Sequence, residues 1–100
     1  MSVAVYKATE QFPREEIYGL TSQLRRAGVS VASNIAEGYG RGSSGEYKHF
    51  LGMARGSNLE LQTQIVIARE LGFGHKAEIN RLEEISFEVS KMLGAIMKKI

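Results

Sequence analysis

The chain has no cysteine. That excludes disulfides, thiolate chemistry and a cysteine-ligated zinc site. It has one proline, Pro13, so nearly the whole length is free of the residue that breaks helices. A membrane-spanning helix needs about 20 mostly apolar residues, and here charge breaks every stretch, the longest uncharged run being Ala27 to Ala36. The start, Met1-Ser2-Val3-Ala4-Val5-Tyr6-Lys7, lacks the basic segment that opens a signal peptide. His49 and His75 fall in different segments without His-Glu-x-x-His spacing, so no metal is expected. A surplus of one charge is also nearly absent, with 13 Lys+Arg against 11 Asp+Glu. These absences give a cytoplasmic address as the expectation, with no cofactor, no membrane and no evident small-molecule substrate.

What is present is apolar spacing. The chain's 100 residues suffice for one modest core and therefore one domain, residues 1–100. Leu20, Leu24, Ala27, Val31 and Ile35 recur at intervals of three and four, which is one face of a helix. Phe50, Leu51, Ala54, Leu61, Ile65, Ala68 and Leu71 do the same, as do Ile79, Leu82, Ile85, Val89, Leu93, Ile96 and Ile100. The spacing predicts an all-α, antiparallel up-down four-helix bundle. Its first helix, Val3 to Phe12, is short, at roughly 15 Å. The second starts with a Thr21 or Ser22 cap and ends at Gly38. A glycine-rich loop follows, and Ser43 with Glu46 forms a capping box for the third helix. That helix stops at Gly72, and the fourth runs from about Lys76 to the end. Short connections make neighbours antiparallel. The half-length first helix leaves apolar flanks for a neighbouring subunit to cover, unless an upstream segment belongs to the chain.

The charge is unevenly distributed. From Leu20 to Gly56 the basic residues Arg25, Arg26, Arg41, Lys48 and Arg55 face only Glu37 and Glu46, whereas Ser57 to Ile100 is balanced. Arg25, Arg26, Arg41 and Lys48 are candidates to grip phosphates, with Tyr39 or Tyr47 to stack on a base. The plainer reading is a solvated face, with Arg26 paired to Glu37 or to a neighbour's acid and the tyrosines packed. A second row on the second helix, Gln23, Arg26, Ser30, Asn34 and Glu37, runs beside the apolar one. Ser57, Glu60 and Gln64 on the third helix match it. Facing each other, the two rows would form a half-buried structural network of Ser30, Asn34, Glu37, Ser57, Glu60 and Gln64 that sets register. Glu37 with Glu60 is the one carboxylate pair available for acid–base work. No nucleophile–base pair accompanies it, and no catalytic residue is expected. Gly40-Arg41-Gly42-Ser43-Ser44-Gly45 spells the dinucleotide fingerprint, but a helix precedes it where a strand is required.

The run Tyr18-Gly19-Leu20-Thr21-Ser22-Gln23-Leu24-Arg25-Arg26-Ala27, continuing through Asn34-Ile35-Ala36-Glu37-Gly38-Tyr39-Gly40-Arg41, resembles the four-helix-bundle family first noted in intervening sequences of 23S ribosomal RNA genes. Gly56-Ser57-Asn58-Leu59-Glu60-Leu61-Gln62-Thr63-Gln64, Leu71-Gly72-Phe73 and Phe12-Pro13 extend the likeness over nearly the whole chain. The resemblance implies a ring, a homopentamer. It also implies kinship with the accessory variability protein of diversity-generating retroelements, whose basic ring meets reverse transcriptase and RNA. It implies no catalytic residues. The chain departs from the family pattern in starting after a Trp-Gln-Lys-Ala-like segment of a longer first helix. Ala32 stands where proline is common, Gln62 where glutamate is common, and His75 where a serine or threonine cap is usual. Three functions follow in order: a non-enzymatic homo-oligomer that binds RNA or an RNA-handling partner, a purely structural oligomer, and last an enzyme using Glu37 and Glu60.

Overall fold

The three-and-four spacing of the apolar residues is realised as four α-helices in the computed structural model, which describes residues 1–100. They are α1 (Ser2–Thr9), α2 (Leu20–Tyr39), α3 (Ser44–Leu71) and α4 (Lys76–Lys99), with a 3-10 turn at Arg14–Glu16. There is no strand. The molecule measures 43 × 22 × 18 Å. Helix α3 is its spine, because α2 and α4 both pack along it yet do not pack against each other. The short α1 fills the space between α2 and α4 at one end only.

The core is therefore lopsided. At the α1 end, ten buried side chains form one cluster, including Val5, Leu24, Leu61, Ile65 and Leu82. At the other end only Leu51, Ala54 and Leu93 are buried together, fringed by partly exposed Ile35, Tyr47, Val89, Ile96 and Met97. Each fully buried leucine or isoleucine contributes about 1.5–3 kcal/mol by leaving water.

Several boundaries differ from the spacing-based expectation, for local reasons. Helix α1 ends at Thr9, short of Phe12. The Thr9 hydroxyl bonds back to the Val5 carbonyl at 2.9 Å, and the chain then turns ahead of Pro13, which disfavours helix in the residue before it. Phe12 stays buried and packs on Phe73 at 5.7 Å between ring centres. Neither Thr21 nor Ser22 caps α2; Gly19 holds the N-cap position, and the Glu16 carboxylate from the 3-10 turn accepts the Leu20 N–H at 3.1 Å. Gly38 does not end α2. It lies buried in the last turn, where a Cβ would meet Phe50 Cβ at 2.8 Å, so its role is to let α3 approach.

Other boundaries follow the local chemistry of the sequence. Ser43 Oγ accepts the Glu46 N–H at 3.2 Å and opens α3. Gly72, at φ +73°, closes it: the Gly72 N–H reaches the Arg69 carbonyl at 3.1 Å and the Phe73 N–H reaches the Ala68 carbonyl at 3.0 Å. This is a Schellman closure, with Phe73 tucked onto the core. His75 precedes α4 and makes no capping bond with its side chain.

Candidate nucleic-acid interface

Antiparallel packing decides which charges meet. The C-terminus of α2, the turn Gly40–Ser43, the start of α3 and the C-terminus of α4 all lie at the end of the bundle away from α1. Tyr39, Arg41 and Lys48 are thereby joined by Lys98 and Lys99, the last turn of α4. Arg55 follows Lys48 by two helical turns on the same face of α3. The acids nearby in the chain are Glu37 and Glu46, and both are engaged by Arg41. The Arg41 guanidinium meets Glu37 at 2.8 Å and Glu46 at 3.8 Å, and lies 5.0 Å over the Phe50 ring. These groups are about half exposed, so each pair contributes less than about 1 kcal/mol. Lys48, Lys98 and Lys99 form no ion pair. Tyr39 is 80% exposed and stands edge-on to Tyr47 at 6.3 Å.

Arg25 and Arg26 are not part of this end. Arg25 precedes Arg41 by 16 residues, roughly 24 Å along α2. Its Nε donates to Thr9 Oγ1 at 3.0 Å, and its guanidinium lies 4.4 Å over the Tyr6 ring, which pins α1 to α2. Arg26 pairs with Glu60, not Glu37, at a loose 3.9 Å on the exposed surface.

The two polar rows do meet. Ser30 and Ser57 share a hydrogen bond of 2.9 Å, and Asn34 donates to the Ser30 carbonyl and hydroxyl at 2.9 and 3.1 Å. Gln64 Nε2 donates to Gln23 at 3.4 Å and to Glu60 at 3.5 Å. Gln64 Oε1 is buried without a partner. Glu37 leaves the row for Arg41. With Ser30 opposite Ser57, the α2 residue facing Glu60 is Arg26 or its neighbour. Glu37 then lies about ten residues, roughly 15 Å, further along the helix. The two carboxylates do not share a site, each has an arginine, and no nucleophile–base pair stands beside either. In the Gly40–Gly45 segment, Gly42 takes φ +81° in the turn and α3 opens at Ser44. The dinucleotide fingerprint thus sits between two helices, outside any strand–helix–strand unit. No three His, Asp or Glu side chains converge as metal ligands, and no helix is long and apolar enough to cross a membrane.

The most buried polar cluster lies elsewhere. Asn58 on α3 and Ser86 on α4 are both fully buried. Asn58 Nδ2 donates to the Ser86 carbonyl at 3.0 Å and to Ser90 Oγ at 2.9 Å, while Ser86 Oγ donates to Asn58 Oδ1 at 2.8 Å. Gln62 adds a bond to Ser90 at 3.2 Å. The signal was available in the spacing. Asn58 continues the α3 row Leu51, Ala54, Leu61, Ile65, and Ser86 continues the α4 row Ile79, Leu82, Val89, Leu93, so each is a polar residue at a core position. Nearer the α3–α4 turn, Arg69 donates to both Glu83 oxygens at 3.1 and 3.0 Å and to Asn80 at 3.1 Å. Donating to the Glu83 carboxylate holds the Arg69 guanidinium above its already high usual pKa.

Two comparisons place this architecture among known proteins. A family model described as 23S rRNA-intervening sequence protein matches residues 1–95. A solved structure of a protein of unknown function from the S23 ribosomal protein family of Bacteroides thetaiotaomicron is similar, with a TM-score of 0.83 and 21% identity. The match covers 97% of this chain and 88% of that one, and at this identity it speaks to the fold. No curated protein matches.

Proposed function

The chain belongs to the 23S rRNA-intervening sequence protein family, and from that premise we propose that it is a non-enzymatic helical module that binds RNA phosphates through the end carrying Tyr39, Arg41, Lys48, Lys98 and Lys99. One observation carries the reading: two chain-distant basic segments, Arg41–Lys48 and Lys98–Lys99, are brought to one end, where the local acids are already occupied by Arg41. Lys48, Lys98 and Lys99 are the free charges there, and exposed Tyr39 offers a ring to a base. An RNA-handling protein such as a reverse transcriptase would arrive with the same polyanion. The test is RNA affinity against salt for the wild type and a Lys48→Ala, Lys98→Ala, Lys99→Ala variant. Each lost phosphate contact lowers the log–log salt slope by about 0.7 on a single strand. An unchanged slope would sink the proposal. Arg25 and Arg41 are unsuitable for this experiment, because one holds α1 in place and the other is held by two carboxylates.

A second reading is a structural homo-oligomer, the homopentamer that the sequence resemblance implies. The gap between α2 and α4 beyond α1 favours it, since Ile35, Val89, Ile96 and Met97 are only partly covered there. Native mass spectrometry at micromolar protein concentration tests it, and a monomer would exclude it.

A further inference from the structure

At the corner where α1 meets the start of α2, a cleft of about 420 Å³ is lined by Tyr6, Ile17, Tyr18, Ser22, Arg25, Arg26 and Val29. It is a shallow, open groove in which Arg25 is the one lining residue that is partly buried. Arg25 is its distinctive member. A half-buried guanidinium ordinarily has a carboxylate partner, because removing its charge from water is costly. Here no carboxylate pairs with Arg25. Its Nε is fixed by Thr9 and its flat face by Tyr6, so the group is held in one orientation while its two terminal nitrogens have no protein acceptor. Arg26 opens on the same cleft and is held only by the loose 3.9 Å contact to Glu60. Tyr18 stands at the lip, 94% exposed, and Ile17 and Val29 supply apolar wall.

We infer that this cleft binds one nucleotide of a single-stranded RNA, with its phosphate on the free nitrogens of Arg25 and on Arg26 and its base against Tyr18. The chemistry fits that class: a fork of immobilised donors suits a phosphate, and an exposed flat ring suits a base. Ser22 adds a hydroxyl for the sugar. The proposal rests on the RNA reading above, through residues that reading does not use. The cleft lies roughly 20 Å along α2 from Tyr39, so one strand running along α2 reaches both. A free nucleotide carries the same phosphate and base, and the test separates the two sources.

The experiment measures fluorescence anisotropy of a labelled oligoadenylate of about twelve nucleotides, within the span of typical single-strand sites. AMP serves as competitor. The wild type is compared with Tyr18→Ala, Arg26→Ala and the Lys48/Lys98/Lys99→Ala variant. Tyr18 is nearly fully exposed, so its truncation leaves the fold intact. Tyr18→Ala is expected to weaken oligoadenylate roughly ten-fold, the loss of one stacked base, with the salt slope unchanged. Arg26→Ala is expected to lower the slope by about 0.7. AMP competition that depends on Tyr18 would assign the cleft to free nucleotides, and its absence would assign it to the strand. If Tyr18→Ala binds like the wild type while the lysine variant weakens, the cleft proposal is wrong and the basic-end reading stands. If Tyr18→Ala weakens binding while the lysine variant does not, the cleft stands and the basic end falls. A wild type that binds neither probe overturns both.

Discussion

Truncating Asn58 to alanine separates two accounts of the α3–α4 seam. If the seam is dry, Asn58→Ala removes both donations from Nδ2, to the Ser86 carbonyl and to Ser90 Oγ, and the acceptor used by Ser86 Oγ. Ser86 is fully buried, so its hydroxyl is left with no side-chain partner on α3. A buried polar group left unsatisfied costs about 1–3 kcal/mol. The vacated amide volume costs more, partly relieved if the Ser86 hydroxyl turns to a carbonyl of its own helix. The expected loss is about 2–4 kcal/mol, a large share of the 5–15 kcal/mol typical of a native domain. Asn58→Leu combined with Ser86→Ala removes both partners together and is expected to be near neutral or stabilising. Urea unfolding followed by circular dichroism reads both as shifts in the midpoint at constant slope. A double-mutant cycle of Asn58→Ala with Ser86→Ala is expected to show coupling of at least about 1 kcal/mol. A loss below about 1 kcal/mol for Asn58→Ala, with no coupling to Ser86, would refute the dry seam.

Other substitutions probe the helix contacts. Gly28→Ala is expected to destabilise despite alanine's better helix propensity, because the new methyl would lie 2.9 Å from Cγ2 of buried Val5. Gly56→Ala meets nothing within 4 Å and is expected to stabilise by about 0.5–1 kcal/mol; thermal melts of the two variants should move in opposite directions. Ser43→Ala removes the cap on α3 and is expected to cost about 1 kcal/mol in the same melts. Arg69→Lys loses the two-pronged contact with Glu83 and is expected to cost up to about 1 kcal/mol. Because the folded pKa of Arg69 is raised, its contribution is fully present below the unfolded value and is lost only in strongly alkaline solution. Urea midpoints of the wild type and Arg69→Lys should therefore differ by a constant amount from neutral pH to about pH 10.

The helices themselves were legible because each writes its period locally. Ser43 with Glu46 and the glycine at 72 mark the ends of α3 through side-chain and backbone chemistry within a few residues. What was not legible depends on register between helices. Whether Glu37 faces Glu60 or Arg41 follows from how far α2 slides along α3, and no local pattern states it. Glu16 capping α2 required knowing that a 3-10 turn swings its carboxylate back to Leu20. Gly38 reads as a stop in one dimension and as a close approach in three. Lys98 and Lys99 joined the basic end only once the direction of α4 was known, although three antiparallel connections imply it. Asn58 and Ser86 were hidden by their polarity, since a polar residue in an apolar row looks like an interruption until its partner on the next helix is found.

The one-sided placement of α1 has a kinetic consequence. At its end of the bundle α4 is covered by α1 and α3 over a ten-residue core, whereas past Ser90 it rests on α3 alone over a cluster of three. A single continuous helix therefore spans two regions of unequal local stability. Backbone amides between Leu82 and Ser86 should open only with the whole fold, and those between Leu93 and Lys98 by local opening of the thinly covered half. Hydrogen exchange along α4 should then fall into two classes within one helix. The segment carrying Lys98 and Lys99 would be the part of the molecule that opens first and, under the RNA proposal above, the part that a bound strand would order.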